Sequence, residues 1–431
     1  MSAKLTVNDF YAFKVGAMWQ YFKGEHFAFK MICGYLFFEF TRLQSIFPSI
    51  DILPWPRLCL IGAIIGAFVD PSVRWTRSPA NKWMALFLIG VICATATATY
   101  RDVAWKHFMD FFMWFVIYFL IINIVNTKER LYIFLMIFLI AAAKIAFGTS
   151  KSWAGRGFSF AAEGLLGPKG PFQNSGELSI LMLTLFPLPL LMVRALGSAI
   201  KRWEKVLLTL FWIMPIMTIT GASSRGAQVA LACQLLILFR KSAFKIKPLV
   251  VSSIVVLGLV TLMPQKQLDR FSESGEDKTS QQRLLYWKRG REMIADHPVF
   301  GVGFYNFAPQ FESRYSADAL YGKAQLPHNI LIQVGTDGGI PLMIYLLALI
   351  TFCFTTAIKI ARNTATDPLW RSVAAALGYG VLGFFIAGQF VTVTYYPFLW
   401  IHLAMLAAAR NILLGEPATT PPQKQAIAPP R

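Results

Sequence analysis

The sequence places an arginine directly after two serines, at the start of an apolar run. Ser223, Ser224 and Arg225 lie between the apolar stretches 204–220 and 226–240. Serine is a favoured N-cap, so Arg225 would occupy the first turn of the helix that follows. A cation there opposes the helix dipole, and we therefore expect an anion to be held nearby. The alternative is that Arg225 only extends to lipid headgroups.

The longest polar stretch, residues 264–341, carries further arginines. A helix is predicted over 281–297, and it places Arg283, Trp287 and Arg291 along one stripe at spacings of four. The arginines could bind phosphate, and the flat indole could contact a sugar or a lipid. A surface helix with a buried tryptophan is the alternative. Long loops inside compact proteins are usually functional or disordered, and the aromatic residues of this one favour function.

A histidine lies where this polar stretch returns to apolar sequence. His328 follows Pro327 and precedes Asn329. An imidazole that titrates near neutral pH suits a general base, and Asn329 would contact the substrate beside it. Histidine at the mouth of a membrane span is otherwise often a helix cap. Asp337, about two turns further on, could orient His328 through an intermediate group.

A loop rich in glycine and proline is a third place for cations. It runs from Gly155 to Gly176 and contains Arg156 and Lys169. Together with backbone N–H groups, these two side chains could bind an anion. A plain connecting loop with solvated charges is the alternative.

Charged residues within apolar runs are functional candidates by default. Glu39 and Arg42 are spaced to pair with each other on a helix. Lys144 lies near the end of its run, where it could reach the interface or contribute to the site.

No motif supports metal or nucleotide chemistry. The sequence has no HExxH, no paired aspartates in the polar loops, no Walker loop and no Gly-x-Ser-x-Gly. The five cysteines lie in or beside apolar runs without CxxC spacing, which excludes a zinc site or a disulfide framework as the organising element. We therefore expect neither a metal nor a cofactor.

The composition is that of a polytopic membrane protein. Of the 431 residues, 56% are hydrophobic and only 15% are charged, whereas soluble domains carry about 25% charged residues. The net charge of +19 is spread over short clusters between apolar runs, without the continuous basic face of a nucleic-acid-binding protein. We predict an all-α polytopic integral membrane protein with about twelve transmembrane helices and one long helix-containing periplasmic loop.

The twelve predicted spans share the length and apolar character that a membrane helix needs. They lie at about 30–47, 56–70, 83–100, 105–125, 131–147, 176–197, 204–220, 226–240, 248–264, 328–358, 370–394 and 396–414.

Basic clusters fall in alternate loops of this arrangement, which indicates that both termini are cytoplasmic and that the polar loops face the periplasm of a bacterium. The predicted organisation follows from these boundaries. It comprises an amphipathic segment over 1–29, a bundle of about nine spans over 30–264, a periplasmic catalytic loop over 265–327, three spans over 328–414, and a disordered cytoplasmic tail over 415–431.

Three motifs occur in order along the chain. They are Ser224-Arg225-Gly226 at the start of a span, Arg283-x-x-x-Trp287 followed by Asp296-His-Pro-Val-Phe-Gly-Val-Gly303, and His328-Asn329 followed by Gly338-Gly-Ile-Pro-Leu342. Together they resemble the O-antigen ligase and polymerase superfamily. They occur in the order typical of the family and cover roughly 155–350. The family's Asn-Pro-Asn-like turn is replaced here by Gln173-Asn174-Ser175.

The resemblance implies a metal-independent glycosyltransferase of the bacterial inner membrane. It implies transfer of a glycan from undecaprenyl diphosphate to lipid A–core oligosaccharide at the periplasmic face. Arg225 and Arg283 match the essential arginines of the family, and His328 matches its essential histidine. Direct attack at the anomeric carbon predicts inversion. Alternatives are an O-antigen polymerase, a protein O-glycosyltransferase of the same superfamily, and a transporter of a lipid-linked glycan.

Overall fold

The computed structural model describes residues 5–159, 164–240 and 277–415, and every regular element in these ranges is a helix. Short 3-10 helices occur at Val7–Phe10, Pro48–Ile50 and Ser316–Asp318. The α-helices, numbered in chain order, are α1 Val15–Gly24, α2 Phe27–Thr41, α3 Leu43–Ile46, α4 Trp55–Val69, α5 Ala80–Ala96, α6 Arg101–Ile124, α7 Lys128–Gly155, α8 Ser175–Leu185, α9 Pro187–Leu196, α10 Arg202–Gly221, α11 Arg225–Leu238, α12 Lys278–Asp296, α13 Phe307–Tyr315, α14 Ile330–Arg362, α15 Pro368–Ala387 and α16 Pro397–Leu414.

Eight helical stretches among the described residues are long and apolar enough to cross a membrane, and α5 and α11 are shorter apolar helices. The prediction of an all-α polytopic membrane protein is therefore confirmed. The predicted run at 248–264 lies outside the described residues, so the count of twelve stays a prediction. The eight stretches are Pro48–Val69, Arg101–Ile124, Lys128–Gly155, Ser175–Leu196, Arg202–Gly221, Ile330–Arg362, Pro368–Ala387 and Pro397–Leu414.

The predicted span at 176–197 is two helices, because prolines interrupt it. Pro187 has no N–H to donate to the carbonyl of Leu183, one turn earlier. The Gln234 side chain of α11 donates to this carbonyl at 3.1 Å and to the Tyr379 carbonyl of α15 at 2.6 Å. A buried carbonyl without a partner costs about 1–3 kcal/mol. This glutamine therefore stabilises the break while it joins three elements.

The long polar stretch is folded over its described part, residues 277–329, which we call the loop segment. Its helix α12 begins after Asp277, whose side chain accepts a hydrogen bond from the Ser280 N–H at 3.0 Å. The predicted helix over 281–297 is thus confirmed, with a start three residues earlier. A small apolar core lies beneath it, formed by Tyr286, Met293, Val302, Phe307 and Phe311.

The loop segment is joined to α14 by backbone hydrogen bonds at a break in that helix. Gly338 and Gly339 leave the helical conformation, and Gly339 adopts φ +72°. The Val302 N–H donates to the Thr336 carbonyl, and the Ile340 N–H donates to the Pro298 carbonyl, both at 2.8 Å. Carbonyl and amide groups that an intact helix would pair internally are therefore satisfied by the loop segment. The result is a rigid joint between the two.

The amino-terminal segment packs on the bundle with one face only. Phe10 is buried against Tyr132 of α7, whereas Trp19 of α1 is 55% exposed. Glu25 and the buried Arg130 of α7 form an ion pair at 2.5 Å. At the other end of the chain, α16 ends at Leu414, and the predicted tail over 415–431 lies outside the described residues apart from Gly415.

Candidate active site

Four helices begin around one cavity of about 560 Å³. Asn174, Ser224 and Asp277 are the N-caps of α8, α11 and α12, and all three line it. His328, which also lines it, immediately precedes Asn329, the N-cap of α14. The end of a helix that carries unpaired N–H groups bears partial positive charge and attracts anions. This convergence is an arrangement suited to an anionic ligand.

Arg225 lies in the first turn of α11 and borders the cavity. Its guanidinium donates to the Asp277 carboxylate at 3.0 Å, and the two side chains are 29% and 26% exposed. Burial alone would raise the pKa of Asp277, but hydrogen bonds from Ser280 and the charge of Arg225 lower it to about 2. The anion expected near Arg225 is therefore present as an ionised carboxylate of the protein itself.

Arg283, one turn into α12, contributes a second guanidinium to the cavity. Its Nε is buried, and no described residue accepts a hydrogen bond from it. Burial and the neighbouring charge of Arg225 both lower the pKa of Arg283. The two guanidinium groups line one cavity and repel each other, and an anion bound between them would reduce that repulsion.

The turn before α11 adds a hydroxyl group. Ser223 adopts φ +57°, a conformation that a side chain makes costly. Its buried hydroxyl lines the cavity and has no hydrogen-bond partner among the described residues. Unsatisfied donors in a polar cavity indicate where a ligand would bind.

His328 is held in an unusual backbone conformation at the edge of the cavity. It has φ +51°, and its N–H donates to the Thr392 hydroxyl at 2.8 Å. Its Nε2 lies 3.1 Å from the Gln325 side-chain oxygen, which favours a proton on Nε2 and leaves Nδ1 free to accept one. Burial and the charge of Arg283 lower the pKa of His328 to about 4. The imidazole is therefore neutral at physiological pH, as a base must be.

Asp337 forms its side-chain hydrogen bonds with two tyrosines. Its carboxylate accepts from the Tyr395 hydroxyl at 2.8 Å and from the Tyr305 N–H at 2.9 Å. No hydrogen bond joins it to His328 within the described ranges. It therefore fixes the segment 388–396 that follows α15 to the loop segment.

Trp287 contacts residues that border the cavity but does not line the cavity itself. Its indole N–H donates to the Pro327 carbonyl at 2.9 Å, and its ring lies 6.4 Å from the ring of Phe390, which lines the cavity. The indole thus holds Pro327, the residue before His328, and packs near Phe390 of the lining. Its flat face is not itself part of the lining.

Four other residues that the sequence proposed for substrate binding do not line this cavity. Arg156 is exposed and donates to Ser152 in its own helix. Lys169 is exposed, and its carbonyl accepts from Arg42 at 3.0 Å. Arg291 is exposed beside Trp287. Asn329 caps α14 by accepting from the N–H groups of Leu331 and Ile332, while its amide donates to Gln389.

Glu177 is a cavity residue that the sequence analysis overlooked. It lies in the first turn of α8, it is only 8% exposed, and one of its carboxyl oxygens has no partner in the described part of the chain. The signal was available, because Glu177 is an acidic residue inside a predicted span and such residues are functional candidates. Asp277 lies in the polar stretch, where an acidic residue is ordinary, so the sequence alone does not single it out.

The helices and this site define a multi-pass membrane protein with a cationic cavity suited to an anionic substrate. Residues 209–347, about a third of the chain, match the family model described as O-antigen ligase. The matched stretch includes Arg225, Arg283 and His328, so the resemblance to the O-antigen ligase superfamily is confirmed. A comparison with curated proteins gives no match.

Proposed function

We propose that the protein is an O-antigen ligase, which transfers a glycan from undecaprenyl diphosphate to lipid A–core oligosaccharide at the periplasmic face of the bacterial inner membrane. The observation that carries the proposal is the placement of a neutral histidine beside two guanidinium groups at a convergence of helix N-termini. A diphosphate needs such a positive environment, and an attacking hydroxyl needs such a base.

The reaction follows from this arrangement. The acceptor hydroxyl attacks the anomeric carbon of the glycan, and Nδ1 of His328 takes its proton. The bond from the anomeric carbon to the phosphate oxygen breaks, and undecaprenyl diphosphate leaves with the negative charge that Arg225 and Arg283 stabilise. Attack from the side opposite to the diphosphate inverts the configuration.

Donor binding would also activate the base. Arg283 is one of the two causes that lower the pKa of His328. A diphosphate bound to Arg283 neutralises this field, so the pKa of His328 rises and the imidazole becomes a stronger base. Proton abstraction is thereby favoured only when the donor is present.

The test is a transfer assay with purified protein, undecaprenyl-diphosphate glycan, lipid A–core and EDTA, with wild type beside His328→Gln. Wild type is expected to place labelled glycan on lipid A–core, and the variant is not. Glycan that lengthens on the carrier would identify a polymerase, and glycan on an added protein acceptor would identify a protein O-glycosyltransferase. No covalent product with any acceptor would refute the proposal and favour transport.

A further inference from the structure

A second cavity, of about 1030 Å³, lies beside the first. The end of α2, the beginning of α4 and the first half of α6 form its walls, together with residues 392–397 before and at the start of α16. It is almost twice as large as the first cavity, which we call the diphosphate cavity because the proposed diphosphate would bind there. Most of the side chains that line the second cavity are apolar, and a few charged side chains lie among them.

The two cavities share one wall, the segment 388–396. Phe390 and Val391 line the diphosphate cavity, while Thr392 and Tyr395 line the second cavity. The hydroxyl of Thr392 accepts the hydrogen bond from the backbone N–H of His328. The proposed base is therefore anchored to the boundary between the cavities, as a transferase with two substrates requires.

The polar side of the second cavity combines both signs of charge. His107 stacks on Tyr305 with ring centroids 4.1 Å apart, and its Nδ1 lies 2.8 Å from the Asp110 carboxylate. Arg42 pairs with Glu39 at 3.6 Å. Cations with carboxylates and an aromatic face are the groups that bind phosphorylated sugars, through ion pairs, hydroxyl hydrogen bonds and stacking.

Arg57 adds an uncompensated charge to this side. It is exposed at the first turn of α4, and no carboxylate lies within ion-pair distance in the described part of the chain. A guanidinium in the first turn opposes the helix dipole, a modest cost that a bound anion would offset. Arg57 is therefore the group in this cavity best placed to contact a phosphate.

The apolar side of the second cavity is open at the outer surface of the helix bundle. Ile61 and Met109 both line the cavity, and they are 53% and 54% exposed. The connection between α2 and α4 exposes Phe47 and Ile52, at 52% and 74%. Apolar side chains exposed beside a cavity of a membrane protein indicate that lipid reaches it from the bilayer.

We propose that the second cavity binds the acceptor, a lipid with several acyl chains and a phosphorylated sugar headgroup. This inference rests on the proposed function and specifies its acceptor site. The headgroup contacts Arg57, His107 and Asp110, the acyl chains lie against α4 and α6, and the attacking hydroxyl approaches His328 past Thr392. The donor's diphosphate occupies the other cavity, on the far side of the shared wall.

The test uses full-length protein in nanodiscs with Ile61→Trp, which places a larger side chain in the lining of the second cavity. Ile65→Trp is the matched control, because Ile65 is 56% exposed on the same helix and does not line the cavity. We expect Ile61→Trp to raise the KM for lipid A–core by about tenfold, with the KM for the donor within about twofold of wild type. Arg57→Gln is also expected to raise the KM for lipid A–core.

Other outcomes overturn the inference. A rise in the donor KM would assign the cavity to the polyprenyl carrier, and equal behaviour of the two tryptophan variants would leave the cavity without a role in acceptor binding. Binding of lipid A–core, measured by native mass spectrometry, separates this test from the proposed function. If wild type transfers nothing but binds lipid A–core, and only Ile61→Trp loses binding, the cavity assignment stands while the ligase proposal fails. If wild type binds phosphatidylglycerol equally well, the assignment fails.

Discussion

The ion pair between Arg225 and Asp277 predicts that the protein competes with its own substrate for one arginine. The Asp277 carboxylate lies 3.0 Å from the Arg225 guanidinium, which the proposed diphosphate substrate would also contact. Asp277→Asn removes the competing charge but keeps an N-cap of equal quality for α12. A partly exposed ion pair contributes about 0.2–1 kcal/mol. Because about 1.4 kcal/mol corresponds to a tenfold change in affinity, the variant should bind undecaprenyl diphosphate up to about fivefold more tightly.

The assay is equilibrium binding of labelled undecaprenyl diphosphate to wild type and variant in nanodiscs. Asp318→Asn is the matched control, because Asp318 also pairs with an arginine of α12, Arg289, but does not line the cavity. Its affinity should equal that of wild type. Weaker binding by Asp277→Asn would refute the reasoning, because it would mean that Asp277 orients Arg225 for the ligand instead of competing with it.

Three further predictions concern the same elements. Arg283→Lys keeps the charge but loses the planar fork, so kcat should fall by roughly 10²-fold or more in the transfer assay; an unchanged kcat would exclude Arg283 from the transition state. Arg283→Gln removes a cation near His328, raises the pKa of His328 and should move the acid limb of the kcat/KM profile from about pH 4 to higher pH; an unmoved limb would remove His328 as the base. Gly339→Ala places a Cβ 2.5 Å from the Pro298 carbonyl at φ +72° and should lower the thermal unfolding midpoint by several degrees; Gly322→Ala, in open space, should not.

The sequence predicted the helical class and the three central residues because their signals are local. The signals are an arginine behind two serines, a helix with Arg283, Trp287 and Arg291 at spacings of four, and a histidine after a proline. Hydropathy then orders the helices along the chain. The loop at 155–176 illustrates the limit, because it contributes Asn174, Ser175 and Gly176 to the cavity but neither of its predicted cations.

The remaining contacts join residues far apart in the chain. Thr392 accepts from His328 across 64 residues, and Arg225 meets Asp277 across 52. No periodicity encodes such pairs, since they depend on how the helix ends assemble. Asp337 shows that nearness along a helix is also not enough. It lies about two turns after His328, which suggested a link between the two, but its carboxylate accepts hydrogen bonds from Tyr395 and Tyr305. The left-handed backbone of His328 likewise has no local sequence signal.

The joint between the loop segment and α14 has a consequence for the rate of turnover. Backbone hydrogen bonds at Thr336 and Ile340 tie the loop segment, which carries Arg283 and His328, to α14. The described loop segment is therefore held to the bundle, in contrast to the hinged loops that open and close over other active sites. If the substrates are the two lipids that we propose, they would reach this part of the molecule by lateral movement within the bilayer. Membrane fluidity would then contribute to how fast the site is reoccupied after each reaction.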